Sequence, residues 1–222
     1  DVSNCPFSIV FNEDCVQGLK RFADNYFDLA IVDPPYGIGA ENHAGNADNG
    51  WKQWTKKSWD NEIPQMIYFT ELFRVSKEQI IWGGNYFLEH LRSTRCLLMW
   101  DKKIAFDFSL AQFDVAWTSF DKLCKKIELK STETKIHPTQ KPVALYKWLL
   151  QNYAKQGDTI FDSHLGSGSS RIAAYDLGFD FVGTELDCDY WTAQEKRFAE
   201  HIAQPTLFDP IIEDPKQEVL FA

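Results

Sequence analysis

The stretch "DTIFDSHLGSGSSRIAAYDLGFDFVGTE", residues 158–185, decides the fold class. The short apolar run 158–162 predicts a buried strand, and a glycine-rich turn follows it. Residues 169–178 predict a helix that ends at a glycine, and 179–185 predict the next strand. A strand, a glycine turn, a helix and a second strand form a βαβ unit, whose two strands run parallel.

The same alternation runs through the rest of the chain. It predicts strands at 7–15, 27–33, 79–84, 96–101 and 113–118, and helices at 16–24, 64–75, 142–157 and 190–203. We therefore expect a doubly wound, mostly parallel α/β sheet of the Rossmann-like type with helices on both faces. Residues 1–202 would form this domain, and 203–222, rich in prolines and acids, a flexible tail.

Composition excludes several classes of protein. No apolar run reaches the roughly 18 residues that suggest a membrane span, and the first residues do not resemble a signal peptide. The five cysteines form no C-x-x-C pair, which is typical of reduced thiols and argues against a disulfide framework or a metal site. We expect a cytoplasmic protein.

The net charge of −9 is unevenly distributed. Residues 176–222 hold 11 acids and 3 Lys or Arg, whereas 122–141 hold six lysines and two acids. The lysine-rich run is either a solvated loop or an edge that faces phosphates, because lysine and arginine make most contacts to nucleic-acid backbones. Charge alone leaves both open.

The glycine turn predicts a ligand site. Gly166 and Gly168 allow a close approach of the backbone, and the following helix offers free amides. Glu185 ends the next strand, where such folds bind ribose hydroxyls with an acid. Together these residues indicate an adenosine-containing cofactor.

A second pattern, "IVDPPYGIG" at 31–39, ends a buried strand in a carboxylate, two prolines and a tyrosine. Taken alone, it favours a rigid turn. In a doubly wound sheet, however, Asp33 would also reach the ligand crevice at the carboxyl edge.

Three motifs in the sequence resemble those of a known enzyme family. "DPPY" (33–36), "HPTQKP" (137–142) and "FDSHLGSGSS" (161–170) resemble the motifs of AdoMet-dependent amino-methyltransferases of DNA. Their order resembles the circularly permuted β-class, most members of which make N6-methyladenine, and the resemblance spans roughly residues 8–200. It implies a methyltransferase fold, S-adenosyl-L-methionine as cofactor, no metal, and a DNA substrate, in the cytoplasm of a bacterium or of a phage-infected host cell.

The resemblance also implies catalytic roles. Asp33 and the Pro34 carbonyl would accept the two N–H bonds of the target amine, while the Pro34–Pro35 pair holds both acceptors rigid. Tyr36 would stack on a base flipped out of the duplex.

Cofactor-binding roles follow residue by residue. The resemblance assigns to the cofactor site Asp14, Thr139, Lys141, Asp162, Ser163, His164, Gly166, Ser167, Gly168 and Glu185. Thr139 and Lys141 would lie near the methionyl carboxylate, which needs donors or a cation. Ser163 and His164 replace the family's usual Pro-Phe; His164 either keeps an aromatic contact with the cofactor or is a packed loop histidine.

Partners and alternatives remain open at this point. "QPTLF" (204–208) resembles the peptide with which bacterial replication proteins bind the sliding clamp, and a homodimer is compatible with the sequence. The leading hypothesis is a DNA adenine-N6 methyltransferase, site-specific or of relaxed specificity. N4-cytosine methylation, an RNA substrate and a non-catalytic nucleic-acid-binding subunit are the alternatives.

Overall fold

The computed structural model describes residues 6–39, 57–104, 111–130 and 133–204, which build one eight-stranded sheet flanked by helices. The strands are β1 (Ser8–Asn12), β2 (Phe27–Val32), β3 (Ser76–Trp82), β4 (Leu97–Asp101), β5 (Phe113–Thr118), β6 (Lys125–Glu128), β7 (Thr159–Asp162) and β8 (Asp180–Glu185). The helices are α1 (Cys15–Leu19), α2 (Met66–Val75), α3 (Val143–Tyr153), α4 (Ser169–Asp176) and α5 (Cys188–Ile202).

The sheet is mostly parallel, as predicted. Its order is β1-β8-β7-β2-β3-β5-β4-β6, and only β5 among these strands runs antiparallel to its neighbours. The interior strand β7 pairs with β2 on one side and β8 on the other, through Phe161 opposite Ala30 and Val182. This order brings the strand before the DPPY motif next to the strand before the glycine turn.

Helices cover both faces of the sheet. On one face α3 and α4 pack through residues such as Leu149 and Ala173, and on the other α1 and α2 pack through Leu19 and Leu72. Burial of each large apolar side chain is worth about 1.5–3 kcal/mol, so the two layers hold the sheet rigid under the loops that carry the site. The Rossmann-like architecture is therefore confirmed.

One strand was not predicted from the sequence. β6 lies inside the lysine-rich run, where Ile127 alone turns inward and Lys125 and Lys126 face solvent. A short edge strand with charged side chains resists pairing with other chains, and such a strand lacks the apolar alternation that identifies strands in a sequence.

Some predictions fall outside the described residues. The structure describes the chain only to residue 204, two residues past the end of α5, so the clamp-like peptide from Pro205 onward and the tail are not covered. The domain boundary at 202 and the homodimer stay predictions. Each helix in the described ranges is too short or too polar to span a lipid bilayer.

Candidate active site

Three carboxylates gather at the carboxyl edge of the sheet. Asp33 follows β2, Asp162 ends β7, and Glu185 ends β8. Because these strands are neighbours and strands lie about 4.8 Å apart, the three carboxylates lie close together, and besides burial the charges of Asp33 and Glu185 both contribute to raising the pKa of Asp162. In a sheet of this type this edge is where a ligand crevice is expected.

Both carboxylate oxygens of Asp33 accept hydrogen bonds. The Tyr36 hydroxyl donates to Oδ1 at 2.5 Å, and the Lys141 ammonium donates to Oδ2 at 2.5 Å. The side chain of Lys141 is 3% exposed and that of Asp33 17% exposed. Burying an ion pair is costly unless its hydrogen bonds are satisfied, so this pair depends on the precise placement of both chain segments.

Lys141 arrives from the turn before α3. Its Nζ lies 3.3 Å from the Tyr36 hydroxyl, 3.9 Å from Asp114 Oδ2 and 5.2 Å from the centre of the Trp82 ring. The sequence interpretation placed this lysine near the cofactor carboxylate, and the structure gives it Asp33 as its ion-pair partner. A contact between Lys141 and the cofactor stays a prediction.

The turn at Tyr36 is anchored by Asp60, a residue that sequence reasoning missed. The backbone N–H groups of Tyr36 and Gly37 donate to Asp60 Oδ1 at 2.5 and 3.0 Å. Asp60 is buried. Because Pro34 and Pro35 have no N–H, the first backbone donors after Asp33 are the N–H groups of Tyr36 and Gly37. Asp60 accepts a hydrogen bond from each of them.

The Tyr36 ring already has an aromatic neighbour. It stacks on Tyr86, with ring centres 4.9 Å apart and planes 14° apart. Gly83 has a φ of +70°, and a Cβ added there would lie 2.1 Å from a Tyr36 ring carbon, so glycine is required. Tyr86 is 42% exposed, which makes it the outer ring of the stack. Stacking of Tyr36 on a target base stays a prediction.

The glycine turn and Glu185 form one unit. Gly166 has a φ of +54°, and its N–H donates to Glu185 Oε2 at 2.7 Å, while the Asp187 N–H donates to Oε1 at 2.8 Å. Burial raises the pKa of Glu185. Gly168, at φ +74°, precedes α4, and the Ser167 and Ser169 hydroxyls lie 3.1 Å apart. The carboxylate fixes the turn and keeps lone pairs free for a ligand.

Asp162 lies deeper than Asp33. The Ser170 hydroxyl donates to its Oδ2 at 2.6 Å, and the His164 N–H donates to its Oδ1 at 3.1 Å. Burial raises the pKa of Asp162 to about 7, with a smaller contribution from the charge of Asp33.

The two departures from the family pattern belong to a buried polar chain. Ser163 Oγ lies 2.7 Å from the Tyr68 hydroxyl and 2.8 Å from His164 Nδ1, and His164 Nε2 lies 3.8 Å from Cys15 Sγ. Burial lowers the pKa of His164 to about 4 and raises the pKa of Cys15 to about 12, so both are neutral near pH 7. His164 is thus a packed histidine here, and a contact with the cofactor stays a prediction.

Two further predicted residues have local structural roles. Asp14 caps α1, where its side chain accepts from the Gln17 N–H at 3.0 Å. Thr139 Oγ1 lies 3.1 Å from His137 Nδ1, and burial lowers the pKa of His137 to about 3. A Cβ on Gly166 would lie 3.6 Å from the His137 ring, so the "HPTQKP" turn packs against the glycine turn. The role of Asp14 and Thr139 in cofactor binding stays a prediction.

Metal ligands are a separate question. Among the residues that the structure describes, no group of three or more His, Cys, Asp or Glu side chains is placed to bind a metal ion.

Residues 49–196 match the model of a family described as DNA methylase, which covers more than half of the chain. The matched range begins after Tyr36, so the catalytic role of the DPPY motif stays a prediction.

Individual proteins of known name also resemble this chain in sequence or in fold. A protein named as a methylase, YubD of Escherichia coli (strain K12), is 26% identical over 201 residues, or 84% of this chain and 88% of that protein. The M1.HpyAVI–SAM complex has a TM-score of 0.60 at 18% identity, covering 85% of this chain and 98% of that chain. The cytosine-N4-specific PvuII DNA methyltransferase also has a TM-score of 0.60, at 12% identity, covering 87% and 88%.

Proposed function

Because the chain belongs to the DNA methylase family, we propose that it transfers a methyl group from S-adenosyl-L-methionine to the N6 amine of adenine in DNA. The observation that carries this proposal is the position of Asp33, a rigidly held carboxylate at the end of β2, beside the glycine turn after β7. One crevice therefore holds an acceptor for an amine and a cradle for an adenosine cofactor.

The cofactor fits the residues present. Gly166 and Gly168 have positive φ and no side chain, so a ligand can approach the backbone of the turn closely. The Glu185 carboxylate can accept hydrogen bonds from ribose hydroxyls. M1.HpyAVI, whose fold is similar, has been crystallised as a complex with the same cofactor, SAM. When bound, S-adenosyl-L-methionine supplies an electrophilic methyl group attached to a sulfonium.

Asp33 prepares the amine. An exocyclic amine on an aromatic ring is a weak nucleophile because its lone pair is delocalised. Hydrogen bonds from its two N–H groups to Asp33 and to the Pro34 carbonyl would draw the nitrogen toward a tetrahedral shape and localise the lone pair. Because the turn is held by Asp60 and the prolines, these acceptors need no reorganisation during the reaction.

Cytosine N4 is the second candidate for the acceptor. Its amine has the same chemistry, and the cytosine-N4-specific PvuII enzyme matches the fold as well as the M1.HpyAVI complex does. Adenine is favoured by the motif order, which resembles the β-class.

The test is nucleoside mass spectrometry of unmethylated DNA after incubation with the protein and isotopically labelled S-adenosyl-L-methionine. We expect label in N6-methyladenine, and its loss with Asp33→Ala. Label in N4-methylcytosine would transfer the proposal to the second candidate. If the folded protein binds the cofactor but labels no DNA, the proposed function is wrong.

A further inference from the structure

The ion pair at Asp33 places a hydrogen-bond acceptor and a donor side by side. Oδ2 of Asp33 and Nζ of Lys141 lie 2.5 Å apart. In the proposed reaction Asp33 accepts from the amine of a flipped base. A base whose amine is bound there brings the neighbouring ring atom close to the lysine.

The spacing of that ring atom matches the pair. In adenine, N6 and N1 are bonded to the same carbon, and two bonds of about 1.33 Å put them about 2.3 Å apart. N6 carries hydrogens and N1 carries a lone pair. A carboxylate oxygen and an ammonium 2.5 Å apart are therefore complementary to the two atoms, as the pairing edge of thymine is.

We propose that Lys141 donates a hydrogen bond to the ring nitrogen beside the target amine, so that Lys141 and Asp33 together bind the Watson–Crick edge of the flipped base. The inference rests on the proposed function and assigns to Lys141 a role in substrate recognition, in place of the hydrogen bond to the cofactor carboxylate that the resemblance implies.

The hydrogen-bond inventory of Lys141 allows this contact. Its ammonium has three N–H donors; one is used by Asp33 at 2.5 Å, and a second points to the Tyr36 hydroxyl at 3.3 Å. Asp114 contributes charge at 3.9 Å, beyond hydrogen-bond distance. The third donor is available to a ligand, and Asp33, the more exposed partner, marks the side from which the base enters.

The pair also predicts which bases are rejected. Adenine and cytosine both present an amine beside a ring nitrogen with a lone pair. Through the Watson–Crick edge, guanine presents its amine beside the ring N1–H, although N3 flanks that amine on its other side, and thymine presents a carbonyl beside a ring N–H. Either would set an N–H against the Lys141 ammonium, leaving a buried donor without an acceptor, which costs more than a missing contact.

The decisive substrates change one atom of the target base. After the labelled base has been identified and its site mapped, duplexes are made with the target adenine, with 1-deazaadenine, which lacks N1, and with 7-deazaadenine, which keeps the Watson–Crick edge. For a cytosine target, 3-deazacytosine and 5-methylcytosine serve instead. Methylation of the unmodified duplex tests the proposed function, and the ratios among the duplexes test the inference.

For the wild-type protein we expect kcat/KM to fall about 10- to 100-fold for 1-deazaadenine, as for loss of a hydrogen bond to a charged group, and to change less than about threefold for 7-deazaadenine. Equal rates with all three duplexes would overturn the inference while leaving the proposed function intact.

The Lys141→Met variant tests whether Lys141 causes the discrimination between adenine and 1-deazaadenine. Lys141→Met should lose discrimination, binding adenine and 1-deazaadenine duplexes with equal Kd in competition, a readout that needs no turnover. Lys103→Met, which removes an exposed lysine paired with Glu128 at the same edge of the sheet, should discriminate as the wild type does. Discrimination that persists in Lys141→Met would contradict the assignment.

Discussion

Asp33 and Asp162 occupy the same kind of position, the carboxyl end of neighbouring parallel strands, yet their surroundings differ. Asp33 faces the Lys141 ammonium and the Tyr36 hydroxyl. Asp162 faces a hydroxyl and a backbone amide in a fully buried site, where its pKa rises to about 7. Both carboxylates therefore lie at the carboxyl edge of the sheet because of their positions on the strands. The loops determine whether a cation lies beside each carboxylate.

The comparison indicates that the two sides of the crevice serve different steps of the proposed reaction. The Asp33 side holds an ion pair suited to an amine, whereas the side of Asp162 and Glu185 holds the turn that fits an adenosine cofactor. Substitutions on each side should therefore affect different steps.

The largest effect on cofactor affinity is expected at Glu185. Glu185→Ala removes the acceptor of the Gly166 and Asp187 N–H groups together with the proposed ribose contact, so Kd for S-adenosyl-L-methionine should rise about 30- to 100-fold in calorimetry. Glu128→Ala, an exposed acid at the end of β6, is the matched control. An unchanged Kd for Glu185→Ala would remove Glu185 from the cofactor site.

Asp162→Asn should stabilise the protein at alkaline pH. Because the folded-state pKa of about 7 lies above the unfolded value near 3.9, ionisation destabilises the fold increasingly as the pH rises from about 4 to 7. An amide cannot ionise; its oxygen can accept from the His164 N–H, and its NH2 group donates to the Ser170 hydroxyl, which reverses that bond. The gain should therefore be roughly 1–3 kcal/mol at pH 8 and smaller at pH 5. Urea denaturation at both pH values measures it; a gain that does not change with pH would mean that Asp162 is not the titrating group.

A smaller effect is expected on the catalytic side at Tyr36. Tyr36→Phe keeps the stack on Tyr86 and removes one donor to Asp33, so single-turnover methyl transfer should slow about tenfold, with cofactor Kd unchanged. A loss of cofactor binding in Tyr36→Phe would contradict the assignment of Tyr36 to the catalytic side alone.

Much of this arrangement could be predicted from the sequence. The βαβ unit at 158–185, the parallel sheet and the two helical layers follow from local periodicity and glycine placement, and the structure confirms them. The "IVD" ending of β2 also predicted a carboxylate in the crevice.

What escaped prediction depends on contacts between distant segments. Lys141 meets Asp33 across 108 positions, and Asp60 anchors Tyr36 across 24. The raised pKa of Asp162 arises from burial, which local sequence does not reveal. β6 escaped because a four-residue edge strand with one inward apolar residue carries almost no periodic signal.

The most direct test of the divided crevice measures both steps in one variant, Asp33→Ala. We predict that calorimetry gives a Kd for S-adenosyl-L-methionine within about threefold of the wild type, because the cofactor cradle is intact, while methyl transfer to DNA falls at least about 100-fold. A parallel loss of cofactor affinity, or transfer that persists at the wild-type rate, would contradict the account.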